Sequence, residues 1–120
     1  MLHYSMKESD SKLNELKSIV KNFIEEREWE QFHSPKNLAM SISIEASELM
    51  ELFQWLSLEE SVKAMETGDI RSNAIDEIAD VLIYAITFCN QNNIDIYDAI
   101  KQKVEKNIKK YPINSYKGNF

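Results

Sequence analysis

Residues 75–89 read Ile-Asp-Glu-Ile-Ala-Asp-Val-Leu-Ile-Tyr-Ala-Ile-Thr-Phe-Cys. Laid out at about 100° per residue, Ile75, Ile78, Ala79, Val81, Leu82, Ile83, Ala85, Ile86 and Cys89 leave little of a helix polar. A helix apolar on nearly every side is a buried one, so this stretch is expected to lie at the centre of a helical fold. It is predicted to begin after Asp69 and to run to about Gln91.

The flanking segments read the same way. A first helix is expected from Ser9 or Asp10, either a good N-cap, with Leu13, Leu16, Val20, Phe23 and Ile24 at helical spacing. It should end between Arg27 and Glu30, and residues 1–9 should form a loose leader. Ser34-Pro35 is an N-cap followed by proline at the first helical position, which opens a second helix expected to reach Trp55. Between the two lies the aromatic loop Trp29-Glu30-Gln31-Phe32-His33. Ser57-Leu58-Glu59-Glu60 matches a capping box, starting a short third helix that stops near Thr67-Gly68. Asp95 caps a last helix running to about Lys110, where Tyr111-Pro112 ends it and residues 113–120 form a tail. The expected fold is all-α, a four- to five-helix bundle.

At 120 residues and 14.0 kDa the chain, 1–120, is expected to be one domain. With 43% apolar residues and only two Gly and two Pro, it is neither a disordered tail nor a turn-rich β fold. It holds no apolar run of about 18 residues and no signal-peptide core, so neither a membrane span nor export is expected. The single cysteine, Cys89, fits a reducing cytoplasm. A net charge of −6 speaks for solubility and against binding a nucleic-acid polymer. That charge is unevenly spread. Residues 45–80 carry ten acids against two bases, a local −8, whereas residues 101–120 carry six Lys against one Glu, a local +5.

Some of those acids fall where a helix should be apolar. On the second helix Leu38, Ile42, Ala46, Leu49, Leu52 and Phe53 form the apolar arc; Glu45 lies in its middle and Glu48 at its edge. On the apolar fourth helix Glu77 and Asp80 share one strip, with Tyr84 a turn beyond. A lone Glu-x-x-Glu usually marks a solvated face, and Glu51, Glu59, Glu60 and Glu66 read that way. Two such pairs on apolar helices without a neighbouring lysine are different, because a buried carboxylate is costly unless paired or bound to a cation. Four carboxylates suit Mg²⁺ or Mn²⁺. A di-iron centre is disfavoured, since it wants Glu-x-x-His pairs and His3 and His33 lie elsewhere.

Two other features have two readings each. The basic end, with Lys106, Lys109 and Lys110, either complements the dipole of its own helix or supplies countercharge to substrate phosphates. Trp29, Phe32, Trp55 and Tyr84 are either packing residues or a slot that stacks a nucleobase, with Gln31 and His33 near its edge. No Gly-rich phosphate loop exists, which excludes P-loop and Rossmann modes of nucleotide binding.

The pairing Glu45-x-x-Glu48, 28 intervening residues, then Glu77-x-x-Asp80 resembles the metal motif of the MazG-like all-α nucleoside triphosphate pyrophosphohydrolases. Arg27-Glu28-Trp29-Glu30-Gln31-Phe32-His33 with Pro35-Lys36-Asn37-Leu38 is similar to the dCTP pyrophosphatase branch. So are Glu48-Leu49-Met50-Glu51-Leu52-Phe53-Gln54-Trp55, Asp80-Val81-Leu82-Ile83-Tyr84 and the ending Lys109-Lys110-Tyr111-Pro112. The likeness spans about residues 13–112. Val20 stands where animal members place a histidine, and the tail beyond Pro112 diverges.

The resemblance implies Mg²⁺ (with Mn²⁺ as a substitute) held by Glu45, Glu48, Glu77 and Asp80. It implies cleavage of a nucleoside triphosphate, dCTP or a modified dCTP first, into monophosphate and pyrophosphate. Glu48 is the expected proton acceptor. Trp29, Glu30, Gln31, Phe32, His33, Trp55 and Tyr84 would line the base pocket, and Asn107 and Lys110 would reach the phosphates. The resemblance also implies a homo-oligomer, a dimer or a dimer of dimers forming a homotetramer. Two other readings are a dNTP pyrophosphatase of broad base specificity and a non-catalytic helical adaptor whose acids are held in ion pairs.

Overall fold

Three helices start on side chains that the sequence marks. In the computed structural model, which describes the backbone of residues 2–119 and the side chains of residues 12–119, the Ser34 hydroxyl accepts the Asn37 N–H at 3.1 Å. Ser57 and Glu60 complete the capping box, the Ser57 hydroxyl accepting the Glu60 N–H at 3.1 Å and the Glu60 carboxylate accepting the Ser57 N–H at 2.8 Å. The Asp95 carboxylate accepts the Asp98 N–H at 2.9 Å. Each bond satisfies an amide that the first helical turn leaves without a carbonyl partner.

The elements are α1 (Leu2–Glu26), a single 3₁₀ turn (Glu30–Phe32), α2 (Pro35–Glu51), α3 (Leu58–Ala64), α4 (Asp69–Gln91), α5 (Ile96–Lys110) and α6 (Ile113–Tyr116). The fold is all-α, and the described residues include no strand. None of their helices is long and apolar enough to cross a membrane.

Several boundaries differ from expectation. The backbone is already helical at Leu2, so most of the expected leader belongs to α1 and Ser9 and Asp10 lie inside it; Met1 is outside the described residues. Residues 2–9 contain neither Gly nor Pro, and nothing in them stops a helix from extending. At the other end α2 stops at Glu51, four residues short of Trp55. There the N–H groups of Leu52, Phe53 and Leu56 bond three residues back, to Leu49 at 3.3 Å, Met50 at 3.0 Å and Phe53 at 3.0 Å. This tighter winding ends the α-helix. The third helix ends at Ala64, before the expected Thr67-Gly68, and part of the expected tail forms the short α6, with Phe120 outside the described residues. Gly68 at φ +99° makes the sharp entry into α4 that an L side chain would resist.

The core is a narrow seam. Val20 and Ile24 of α1, Leu38 of α2, and Ala74 and Thr87 of α4 are buried where α1 and α2 cross α4. The expectation that α4 is buried all round is not met within one chain, because Ile75, Ile78 and Leu82 are 43–54% exposed. Among the described residues, only α1 and α2 pack broadly on α4, and α5 packs broadly on no helix, meeting Leu13 of α1 across an open apolar hollow. Its apolar side, Tyr97, Ile100, Val104 and Ile108, faces outward. The single chain is accordingly open. Its accessible surface is 9996 Å², against about 6,700 Å² for a compact monomer of this mass. Its radius of gyration is 17.7 Å, where about 14 Å is usual for the length.

Candidate metal centre and aromatic loop

Helical spacing places Glu45 and Glu48 on one side of α2, and Glu77 and Asp80 on one side of α4. Packing of α2 on α4 then brings the two pairs together. One carboxylate oxygen from each of Glu45, Glu48 and Glu77 lies within 4.8 Å of the other two. Asp80 is exposed and outside that triangle, but its charge still acts on both Glu45 and Glu77.

The cluster is electrostatically unfavourable as it stands. Loss of solvent pushes the Glu45 carboxyl up to about 7, helped by its hydrogen bond with Glu48 and by the charges of Glu48, Asp80 and Glu77. Glu77 is also raised, by lost solvent first and then by its hydrogen bond with Glu48 and the charges of Glu48 and Asp80; a hydrogen bond with Glu45 pulls the other way. The ion pairs among the described residues are Lys21–Glu25 and Arg27–Glu26, so none of the described bases pairs with the cluster.

A divalent cation fits these residues. Glu45 Oε2 and Glu77 Oε2 are buried without a hydrogen-bond partner, a costly state that a cation would relieve. All the available donors are carboxylate oxygens, with neither thiolate nor imidazole among them, which matches hard cations such as Mg²⁺ or Mn²⁺. The adaptor reading required ion pairs for these acids, and none is found among the described residues.

The aromatic loop is built by the way α1 ends. The Trp29 N–H bonds to the Ile24 carbonyl at 3.1 Å and the Glu28 N–H to the Glu25 carbonyl at 3.0 Å, with Glu28 at φ +54°. This is a Schellman termination, whose left-handed position usually carries glycine. Here that position holds a glutamate, which is why sequence reading did not detect the motif. The accompanying apolar contact is Trp29 edge-on against Phe23, with ring centroids 5.7 Å apart. Beyond it, the Phe32 and His33 N–H groups bond to Trp29 at 2.9 Å and Glu30 at 3.2 Å. The Asn37 carboxamide then ties the Phe32 carbonyl to the start of α2 at 3.0 Å.

Of the expected pocket residues, His33 and Tyr84 come together, edge to face with centroids 6.3 Å apart. His33 Nδ1 is buried and has no hydrogen-bond partner. Tyr84 sits one turn after Asp80 on α4, which links this pair to the acidic strip. The Gln31 carboxamide donates to the Glu28 carbonyl at 2.9 Å and so braces the loop itself. Glu30 and Phe32 are exposed. Trp55, carried on the turn after α2, is 87% exposed. Asn107 and Lys110 lie on α5, which packs broadly on neither α2 nor α4. The Lys110 ammonium instead lies 5.3 Å from the Tyr111 ring centre.

Comparison with known proteins gives three consistent results. The model of the MazG-like family matches residues 40–119. The chain is 32% identical over 111 residues to dCTP pyrophosphatase 1 of Bos taurus, a match covering 92% of this chain and 66% of that protein. It is 34% identical over 107 residues to the Mus musculus protein of the same name, covering 89% of this chain and 63% of that one. The chain thus spans just under two thirds of the length of these curated relatives. The crystal structure of a pyrophosphatase from Archaeoglobus fulgidus is similar at a TM-score of 0.78 and 44% identity, covering 83% of this chain and 92% of that chain.

Proposed function

This chain belongs to the MazG-like family, and on that premise we propose that it hydrolyses a nucleoside triphosphate, dCTP or a modified dCTP first, to the monophosphate and pyrophosphate. The observation that carries this reading is the meeting of carboxylates from two helices, with two buried oxygens left unsatisfied. It is supported by the similarity to mammalian dCTP pyrophosphatases and to the archaeal pyrophosphatase.

Glu45, Glu48 and Glu77, with Asp80 a turn away, would hold Mg²⁺ or Mn²⁺. The cation supplies positive charge against the triphosphate and acidifies a bound water. In the reaction, water oxygen bonds to the α-phosphorus, and the bond from that phosphorus to the α–β bridging oxygen breaks, releasing pyrophosphate. Glu48 accepts the water proton. The neutralised cluster lets a −8 segment approach a polyanion without repelling it.

Trp29, Phe32, Trp55 and Tyr84 would provide flat apolar faces for the base, a contact worth about 1–3 kcal/mol per base. The unspent His33 Nδ1 offers a hydrogen bond to the base or sugar. Gln31 and Glu30 would shape the loop, while Asn107 and Lys110 would bind phosphate. In the proposed oligomer the last two, and the exposed Trp55, would reach a site on a neighbouring chain. The uncovered apolar sides of α4 and α5 support a homo-oligomer, a dimer or dimer of dimers. A reducing cytoplasm is the proposed compartment.

Incubation with dCTP and Mg²⁺ should yield dCMP and pyrophosphate. Formation of dCDP and phosphate, or no turnover of any nucleotide, would refute the proposal. Equal kcat/KM across a panel of dNTPs would favour the broad-specificity reading.

A further inference from the structure

The structure carries a cluster at the end of α1, Phe23, Arg27 and Trp29, of which the proposed chemistry uses only Trp29. The Arg27 guanidinium carbon lies 4.0 Å from the Phe23 ring centre and 6.0 Å from the Trp29 ring. Its Nη1 donates to the Phe23 carbonyl at 3.0 Å, while Phe23 and Trp29 meet edge to face. One arginine therefore stacks on Phe23, lies near the edge of cation–π range of Trp29, and closes the last turn of the helix that presents them. It does so beside Glu28, an L residue in the left-handed region, a conformation that persists only where surrounding contacts enforce it. Arginine suits this task because a planar guanidinium stacks on aromatic faces and donates in its own plane at the same time.

We propose that Arg27 is a positioning residue for Trp29: it fixes the indole, through Phe23 and the α1 terminus, in the orientation in which it forms one wall of the base pocket. This inference rests on the nucleotide reading given above for the use of that wall, but not for its existence. Arg27 pairs with Glu26 and with none of Glu45, Glu48, Glu77 and Asp80, so its removal should alter base binding and leave the hydrolytic step intact.

The test compares Arg27→Ala and Arg27→Lys with the wild type. Steady-state kinetics on dCTP with Mg²⁺ supplies one readout. Acrylamide quenching of Trp29 fluorescence, recorded in a Trp55→Phe background, supplies another. Loss of an exposed cation–π contact should raise KM about two- to fivefold with kcat unchanged. Quenching of Trp29 should increase in parallel. Arg27→Lys keeps a cation over Phe23 but loses the planar fork, and should recover part of both effects. Unchanged quenching in Arg27→Ala would overturn the proposal, as would a kcat loss matching the KM rise. A wild-type protein inactive on every nucleotide would overturn the nucleotide reading instead, and the quenching comparison would still decide whether Arg27 positions Trp29.

Discussion

Glu45→Gln separates a metal centre from a merely acidic groove. Glutamine keeps the volume of glutamate and mimics its protonated form. The Glu45 carboxyl sits at about 7 in the folded chain, against 4.5 for an ordinary glutamate. The folded state therefore binds the proton more tightly than the unfolded state does. The stabilisation tied to that proton is complete below about pH 4.5 and is lost as pH rises towards 7. At about 1.4 kcal/mol per tenfold change in proton affinity, the full effect would be ~3 kcal/mol; solvent screening at this partly exposed site reduces it to on the order of 1 kcal/mol. Without metal at pH 8, Glu45→Gln should thus be more stable than the wild type by roughly that amount, about 4 °C in Tm for 120 residues. Near pH 4.5 the difference should vanish. Mg²⁺ should reverse the order at pH 8, because a cation at 100 times its Kd adds ~2.7 kcal/mol to a native state that binds it. Thermal unfolding at fixed protein concentration, with EDTA or Mg²⁺, measures all of this. A variant no more stable than the wild type in EDTA at pH 8, or equal Mg²⁺ stabilisation of both, would refute the reasoning. The variant should also lose dCTP turnover.

Leu38 is fully buried at the α2–α4 seam, so Leu38→Ala should cost about 2–5 kcal/mol in urea unfolding, and a cost below 1 kcal/mol would show that the seam is not the core. Trp55 is almost fully exposed in the single chain, so Trp55→Ala should leave stability within about 0.5 kcal/mol of the wild type while raising KM for dCTP. An equal loss of stability would assign Trp55 to packing. If the proposed homo-oligomer uses the exposed apolar side of α5, Ile100→Glu should shift the protein to smaller species in sedimentation analysis, and a wild type that sediments as a single chain, or an unchanged profile in the variant, would refute an α5 interface.

Three helix starts, those of α2, α3 and α5, were legible in the sequence because capping is local, whereas Ser9 and Asp10 proved to lie inside α1. Ser34, Ser57 and Asp95 each bond an amide three residues on, and no distant residue has a part in it. Helix ends were less legible. Glu28 adopts a left-handed conformation that glycine would have advertised, and α2 tightens after Glu51 with no proline or glycine to signal it. Arg27 and Asn37, which brace the aromatic loop, were missed as well. Their partners are backbone carbonyls and ring faces, which leave no residue-type signature.

The sequence by itself determined the all-α class and the two i, i+3 acidic pairs, because both follow from periodicity along a single helix. Tertiary structure decided which acids meet. Packing of α2 on α4 joins Glu45, Glu48 and Glu77 and holds Asp80 to one side. It also decided that the apolar sides of α4 and α5 stay exposed in the single chain. Hydrophobic patterning records that a face must be buried but not by what, since the hydrophobic effect is non-directional and a second chain satisfies it as well as the first.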